Sequence, residues 1–147
     1  MIDLELPSDS SVLPGVRERL RAWTLQRGWS EHQIGEIVLA VDEAFSNVIR
    51  HGYKGRADGS VQLTVCETTE PDGIEIRIRD FCSCVDLENI CGRDLDDVRP
   101  GGLGVHLIQA MMETAEYSLA EGGGVLLVMR KSKTHVAQTL NGEANVT

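Results

Sequence analysis

The sequence predicts an α+β fold, a two-layer sandwich in which helices pack on one face of a largely antiparallel, mixed sheet. Strand-like segments occur in neighbouring pairs, and helix-like segments do not alternate with them one for one, as they would in a parallel α/β fold. The length of 147 residues fits a single domain. Because 41% of the residues are hydrophobic and only 4% are aromatic, we expect an aliphatic core.

The first half of the chain predicts one strand and two helices. Apolar and acidic residues alternate over residues 2–6, which indicates a short strand. Apolar residues recur at helical spacing over residues 10–27. A second, longer helix should begin after Ser30, because Ser30 and Gln33 form a capping-box pattern, and should end at Gly52.

The second half predicts two strand pairs separated by a long loop and a helix. Residues 61–65 and 74–78 alternate strictly and form the first pair. Residues 81–101 have no clear period, and a loop of this length inside a small domain is usually functional, often a lid. A helix should follow this loop, and residues 117–119 and 125–129 form the second pair of strands.

Charge and composition exclude several classes of partner. Fourteen Lys and Arg against 23 Asp and Glu give a net charge of −9, which disfavours nucleic acid and anionic membrane surfaces. There is no basic residue before Arg17 and no long apolar run, so we expect no signal peptide, no membrane span and a cytoplasmic location. We expect one domain over residues 1–147, with a core at residues 2–131 and a polar, frayed tail at residues 132–147.

The four cysteines should be free thiols in a reducing compartment. Cys82, Cys84 and Cys91 lie within one ten-residue span of the loop. Two interpretations of these three cysteines stay open. They could hold a metal or sense redox state, or they could be small side chains that fill space in the loop. Three thiols lack the fourth ligand of a closed zinc site, which favours the second interpretation. Cys66, on an alternating strand, is predicted to lie in the core.

Two short patterns carry polar chemistry. Glu43 and Asn47 are four residues apart and project from one helix face. Gly101, Gly102 and Gly104 precede a helix, where backbone N–H groups can approach a phosphate. Taken alone, the first pattern fits an ordinary solvated surface, and the second is weak.

The order of these patterns is more specific than either one. The run from Glu43 to Tyr53, E-A-x-x-N-x-x-x-H-G-Y, is followed by Asp80 at the end of a strand, then by the long loop and the G-G-x-G turn. This order resembles the GHKL ATPase superfamily, the fold shared by gyrase, histidine kinases and heat-shock chaperones. The first motif resembles the N box of the bacterial anti-sigma-factor serine kinases. The resemblance covers about residues 2–131 and implies the Bergerat ATP-binding fold.

The resemblance implies ATP and Mg²⁺ as cofactors and assigns roles to individual residues. Glu43 would orient or deprotonate the attacking hydroxyl, and Asn47 would supply an oxygen to Mg²⁺. Asp80 would accept the adenine amino proton and so select adenine over guanine. The other implied ATP-binding positions are Arg50, His51, Cys82, Arg99, Gly101, Gly102, Leu103, Gly104 and Val105. Ordinary surface charge remains the alternative for Arg50, His51, Arg93 and Arg99.

Two positions depart from the family pattern. The family usually has glycine two residues after the adenine aspartate, where the chain passes close to the base, and this chain has Cys82. A side chain at that position is expected to reduce nucleotide affinity. Related chains often have threonine after the last glycine turn, whereas this chain has Val125. That loss should be milder, because an ordered water can bind Asp80 alone.

The implied function is that of a serine/threonine protein kinase whose substrate is a STAS-domain anti-anti-sigma factor. By the same resemblance, it would also bind a sigma factor, commonly as a homodimer. Cys82 keeps a second hypothesis open, a non-catalytic partner-switching module with a degenerate nucleotide site. A third, the detached ATPase domain of a histidine kinase, is disfavoured because the chain has no room for a dimerising helix pair that carries a phosphoacceptor histidine.

Overall fold

The computed structural model describes residues 1–81 and 103–137. The strands in these ranges are β1 (Ile2–Pro7), β2 (Ser60–Thr69), β3 (Asp72–Asp80), β4 (Thr114–Leu119) and β5 (Val125–Ser132). The helices are a 3₁₀ turn (Ser10–Val12), α1 (Leu13–Gln26), α2 (Glu31–Asn47), a π-helical turn (Val48–Gly52) and α3 (Leu103–Met111). Within the described ranges, no helix is long and apolar enough to span a bilayer.

The strands form one sheet in the order β1-β2-β3-β5-β4, and every pairing among them is antiparallel. The predicted α+β class is therefore confirmed, although the described strands include no parallel pair that would make the sheet mixed. Arg79 pairs with Leu126, so the end of β3 lies beside the beginning of β5. This register sets the position of the candidate site.

The core lies between the helices and one face of the sheet. Positions 61, 63 and 65 of β2 and positions 74, 76 and 78 of β3 point to this face. Each of these six side chains is at most 1% exposed. Aliphatic residues dominate the core, as the composition predicts, and each fully buried side chain contributes roughly 1.5–3 kcal/mol. The central positions are Val61, Leu63, Val65, Ile74, Ile76 and Ile78 of the sheet and Ile34, Ile37, Val41 and Phe45 of α2.

The predicted capping box fixes the beginning of α2. The Ser30 hydroxyl accepts a hydrogen bond from the Gln33 backbone N–H at 3.1 Å, and the Gln33 side-chain oxygen accepts one from the Ser30 N–H at 3.1 Å. These bonds satisfy backbone donors that the first helical turn leaves without partners. The Gln33 side chain also donates to the Lys133 carbonyl at 2.7 Å, so the cap joins the helix to the end of the sheet.

The helical run ends at Gly52 as predicted, but its last turn is not α-helical. The α-helix ends at Asn47, and a π-helical turn continues it through Gly52, with the Tyr53 N–H donating to the Val48 carbonyl at 3.0 Å. Positive φ angles follow at Lys54 (54°) and Gly55 (82°), so the chain reverses after Gly52 rather than at it. π-Helical turns are rare and are frequently found at functional sites.

Cys66 does not lie in the core. Val61, Leu63 and Val65 occupy the odd positions of β2 and point to the helices, so Cys66 lies on the opposite face of the sheet, where it is half-buried. Its thiol approaches Glu75 Oε2 at 3.8 Å. Burial, followed by the Glu75 charge, raises the pKa of the thiol, which keeps it protonated and unreactive at neutral pH.

The folded chain extends past the predicted boundary at residue 131. Ser132 is the last residue of β5 and is buried. The Lys133 N–H donates to the Asp72 carbonyl at 2.9 Å, and the Lys133 ammonium donates to the Arg27 carbonyl at 2.6 Å. The predicted tail therefore begins too early, because these polar residues are held by hydrogen bonds to distant parts of the fold. Residues 138–147 lie outside the described residues.

A buried lysine joins α2, α3 and β5. The side chain of Lys131 is 0% exposed, and its ammonium donates to the Met111 carbonyl at 2.7 Å. It also contacts His135 Nδ1 at 2.7 Å and Glu36 Oε1 at 3.4 Å. Burial lowers the pKa of Lys131, and the Glu36 carboxylate opposes this shift. The three contacts satisfy the three ammonium protons, so a charged lysine can be kept in the core.

His135 makes the stability of this cluster depend on pH. Burial, followed by the Lys131 charge, lowers the pKa of His135 below its ordinary 6.5, while Glu113 and Glu36 act in the opposite direction. As the pH falls below 6.5, the unfolded chain therefore binds a proton at this position before the folded chain does. Stability is lost as the pH falls from 6.5 towards the folded pKa.

We expect His135→Gln to reduce this loss of stability. Between about pH 7.5 and about pH 5.5, the free energy of unfolding of the variant should fall less steeply than that of the wild type, by up to ~1.4 kcal/mol per pH unit. Urea unfolding at both pH values measures the difference. His51→Gln, at an exposed position, is the control and should follow the wild type. Equal slopes for His135→Gln and the wild type would contradict the assignment.

Candidate functional site

The site lies where the end of α2 meets the ends of β3 and the glycine turn before β5. Asp80, the last residue of β3, is 4% exposed. Its Oδ1 accepts a hydrogen bond from the Val125 backbone N–H at 3.1 Å. An ionised carboxylate is only an acceptor, so this arrangement holds a buried acceptor in place at the sheet edge.

Glycine is required on the β5 side of Asp80. A Cβ at Gly124 would lie 2.1 Å from the Asp80 carbonyl oxygen and 2.8 Å from Oδ1, and the φ of Gly124 is +86°. A side chain fits neither the space nor the backbone angle. The absence of a side chain at Gly124 therefore lets Val125 reach the carboxylate. Val125, which departs from the family pattern by its side chain, contacts Asp80 through its backbone.

The π-helical turn forms the opposite wall. A Cβ at Gly52 would lie 3.2 Å from Asp80 Oδ2, so the backbone passes close to the second carboxylate oxygen. The next residue, Tyr53, is buried, and its hydroxyl donates to the Ser60 carbonyl at 2.5 Å and accepts from the Phe81 N–H at 2.8 Å. Tyr53 therefore ties the residue after Asp80 to the end of α2. The motif included Tyr53 without assigning it a role.

Glu43 lines an open cleft at the end of α2. The cleft has a volume of about 420 Å³, and Glu43 is half-buried in it. The other described residues that line the cleft are Ser10, Ser46, Ile49 and Arg50. A carboxylate in such a cleft can accept a proton from, or orient, a hydroxyl that enters it.

Asn47 is not a solvated surface residue, because it is only 8% exposed. Its Oδ1 accepts a hydrogen bond from Arg50 Nη2 at 2.8 Å, which connects it to the cleft. Its Nδ2 is buried and has no hydrogen-bond partner among the described residues. The amide oxygen of Asn47 is a hard oxygen ligand of the kind that Mg²⁺ prefers. Asn47 therefore fits a cation that is bound between the protein and phosphates.

The remaining predicted positions fall into three sets. Arg50 and His51 lie in the π-helical turn and are exposed. Leu103, Gly104 and Val105 begin α3. The other predicted positions lie outside the described residues: Cys82, Cys84, Cys91, Arg93, Arg99, Gly101 and Gly102. In the part of the chain that is described, no three His, Cys, Asp or Glu side chains are grouped as a metal site.

Residues 6–131 match the family model of the histidine kinase-like ATPase domain. The chain belongs to this family. The match covers the site from the end of α2 to β5, and it confirms the resemblance to the GHKL ATPases that the motif order indicated. Asp80, Glu43 and Asn47 thus lie within an ATPase domain.

Curated members of the ATPase-domain family are similar over most of the chain. The chain is 31% identical over 134 residues to the serine-protein kinase RsbW of Listeria monocytogenes. This alignment covers 86% of this chain and 84% of the relative. It is 27% identical over 150 residues to the serine-protein kinase RsbW of Staphylococcus epidermidis, with 97% and 92% covered. The serine-protein kinase RsbW of Bacillus pumilus is 24% identical over 139 residues.

A solved structure has the same fold. The crystal structure of the RsbU and RsbW domains of Rv1364c from Mycobacterium tuberculosis matches with a TM-score of 0.60 and 18% identity. The match covers 90% of this chain and 32% of the mycobacterial chain, so this chain spans about a third of that protein. At this identity the likeness supports the fold.

We expect Gly124→Ala to be more damaging than Gly123→Ala. Both glycines have positive φ, 86° and 106°, so both substitutions strain the backbone. Only at Gly124 does the added Cβ meet Asp80, whereas at Gly123 it meets no atom within 4 Å. Gly124→Ala should therefore lose about 1–3 kcal/mol more stability than the matched variant. Urea unfolding of the two proteins measures the difference, and equal losses would argue against the close approach.

Proposed function

We propose that this chain is a serine/threonine protein kinase that uses Mg-ATP to phosphorylate a Ser or Thr of a small antagonist protein. The observation that carries the proposal is the position of Glu43 and Asn47, one helical turn apart, at the end of α2 where the backbone passes a buried Asp80 carboxylate. The serine-protein kinase names of the relatives support the same reaction class. The proposed antagonist is a STAS-domain anti-anti-sigma factor.

Asp80 is proposed to recognise adenine. Its Oδ1 is already oriented by the Val125 N–H, so the carboxylate does not rotate freely in its pocket. A carboxylate accepts from the exocyclic amino group of adenine and repels the carbonyl oxygen that guanine has at the same ring position. Burial strengthens this discrimination, because an unsatisfied polar contact away from water is costly. Cys82, which replaces the glycine usual in the family, is expected to reduce affinity without changing this preference.

The phosphates are proposed to lie between the end of α2 and the beginning of α3. Gly101, Gly102 and Gly104 would present backbone N–H groups, and the helix that begins at Leu103 adds its positive end. Arg50, His51 and Arg99 are the proposed side-chain contacts to the phosphates. When bound, Mg²⁺ supplies charge neutralisation of the phosphates; Asn47 would hold it through its amide oxygen, together with the nucleotide.

Glu43 is proposed to act on the hydroxyl of the antagonist. It lines the open cleft, where a side chain of a partner protein can enter from solvent. Its carboxylate would orient the Ser or Thr hydroxyl and accept its proton as the phosphoryl group is transferred. The chain would also bind a sigma factor as a homodimer and so regulate transcription by partner switching.

The decisive experiment measures phosphate transfer to the cognate antagonist. We expect Glu43→Gln to bind Mg-ATP as the wild type does and to lose about 10²- to 10⁴-fold in transfer rate. Glu31→Gln, at the exposed beginning of the same helix, is the matched control and should transfer phosphate at the wild-type rate.

Two outcomes would contradict this proposal in different ways. Wild-type transfer by Glu43→Gln would exclude Glu43 as the base. If the wild type binds the antagonist but transfers no phosphate to it, the chain would instead be a non-catalytic partner-switching module. The presence of Cys82 in place of the family's glycine is the sequence feature that supports this alternative.

A further inference from the structure

Three consecutive glycines form the turn that leads into β5. Gly122, Gly123 and Gly124 have φ angles of 87°, 106° and 86°, all in the left-handed region. Glycine adopts these angles without strain, but it also loses more conformational freedom on folding than any other residue. The next residue, Val125, donates its N–H to Asp80 Oδ1 at 3.1 Å. The orientation of the carboxylate therefore depends on a turn whose own sequence does little to fix its conformation.

Arg79 holds this turn from the outer face of the sheet. Because side chains alternate along a strand, Arg79 of β3 points away from the face that the helices cover. Its Nη2 donates to the Glu121 carbonyl at 2.7 Å and, over a longer 3.4 Å, to the Gly123 carbonyl. These two carbonyls flank Gly122, so the guanidinium bridges the turn.

The guanidinium is itself held in place by Phe81. Its central carbon lies 4.5 Å from the centroid of the Phe81 ring, a cation–π distance. The Phe81 N–H in turn donates to the Tyr53 hydroxyl at 2.8 Å. Arg79 Nε is buried and has no hydrogen-bond partner among the described residues, which costs free energy. An apolar side chain would pack on Phe81 without this cost, so the contribution that requires a guanidinium is the bond to the turn.

We propose that Arg79 is a positioning residue for adenine recognition: by holding the glycine turn, it keeps the Val125 N–H on Asp80 Oδ1 and so fixes the carboxylate that reads the base. Groups that discriminate between ligands need surrounding hydrogen bonds to hold their orientation. A carboxylate that rotates meets the adenine amino group less often in the productive orientation. This inference rests on the proposed adenine site and adds a residue that the motifs did not include.

The test is the ratio of the dissociation constants of Mg-GDP and Mg-ADP, measured by calorimetry. A weaker attraction of the phosphates changes both constants alike and leaves their ratio unchanged. Arg79→Gln removes the guanidinium that bridges the turn, so the ratio should fall about tenfold, the value of one hydrogen bond from a charged donor. Arg79→Lys keeps a charged donor for the Glu121 carbonyl and should retain part of the preference.

Arg77→Gln is the matched control. Arg77 lies two residues earlier on the same strand and the same face, is exposed, and contacts Glu75 Oε2 at 3.3 Å. Its substitution removes the same charge away from the turn, so the ratio should equal that of the wild type. An unchanged ratio in Arg79→Gln, or an equal fall in Arg77→Gln, would overturn the inference while leaving the proposed function intact. Absence of ADP binding by the wild type would overturn both.

Hydrogen exchange in the nucleotide-free protein tests the step within the fold. The Val125 amide should exchange about tenfold faster in Arg79→Gln than in the wild type, because it leaves Asp80 Oδ1 more often. The Met129 amide, deeper in β5, should keep its rate. If Arg79→Gln does not fold, Arg79→Lys takes its place and should show a smaller increase. Equal Val125 rates in the wild type and the variant would overturn the proposed role of Arg79.

Discussion

The close approach of three backbone segments around the Asp80 carboxylate is the constraint on which the site depends. Asp80 is buried at the end of β3, Gly124 lies against its carbonyl oxygen, and Gly52 lies against its Oδ2. The Val125 N–H then meets Oδ1 at 3.1 Å. Each segment comes from a different element, so the carboxylate is oriented only when α2, β3 and β5 are packed together. Any ligand preference that depends on the orientation of the Asp80 carboxylate therefore requires the folded domain.

The end of α2 transmits this constraint to the cleft. The π-helical turn brings Gly52 to Asp80, and the same turn carries Arg50, whose guanidinium contacts the Asn47 oxygen. A regular α-helix would direct these residues differently, since a π-helical turn adds a residue to each hydrogen-bonded ring. The proposed adenine recognition at Asp80 and the proposed chemistry at Glu43 are thus joined through a few residues of one helix.

Local chemistry made part of the fold predictable from the sequence. The Ser30 capping box depends on neighbours within one turn, and it is present as predicted. The strand alternation was also correct. The same alternation puts Cys66, which follows the inward-facing Val65, on the face of the sheet opposite the core, so the prediction that Cys66 is a core residue was wrong. The order of motifs predicted the family, which the family model confirms, and the position of Asp80 at the end of a strand.

Contacts between distant residues account for what the sequence did not predict. The burial of Lys131 depends on Glu36 and on the end of α3, and nothing in the sequence around residue 131 indicates these contacts. The π-helical turn was likewise not predicted, because the sequence indicates only a helix stop at Gly52 and no change in the hydrogen-bonding pattern before it.

The most direct test of the account is the thermal stability of the wild type and of Asp80→Asn with adenine and guanine nucleotides. Mg-ADP at about one hundred times its dissociation constant should raise the melting temperature of the wild type by roughly 5 to 11 °C, and Mg-GDP should do much less. In Asp80→Asn the adenine preference should be lost, since the amide both donates and accepts. Equal stabilisation of the wild type by the two nucleotides, or none by Mg-ADP, would contradict the claim that the buried Asp80 carboxylate selects adenine.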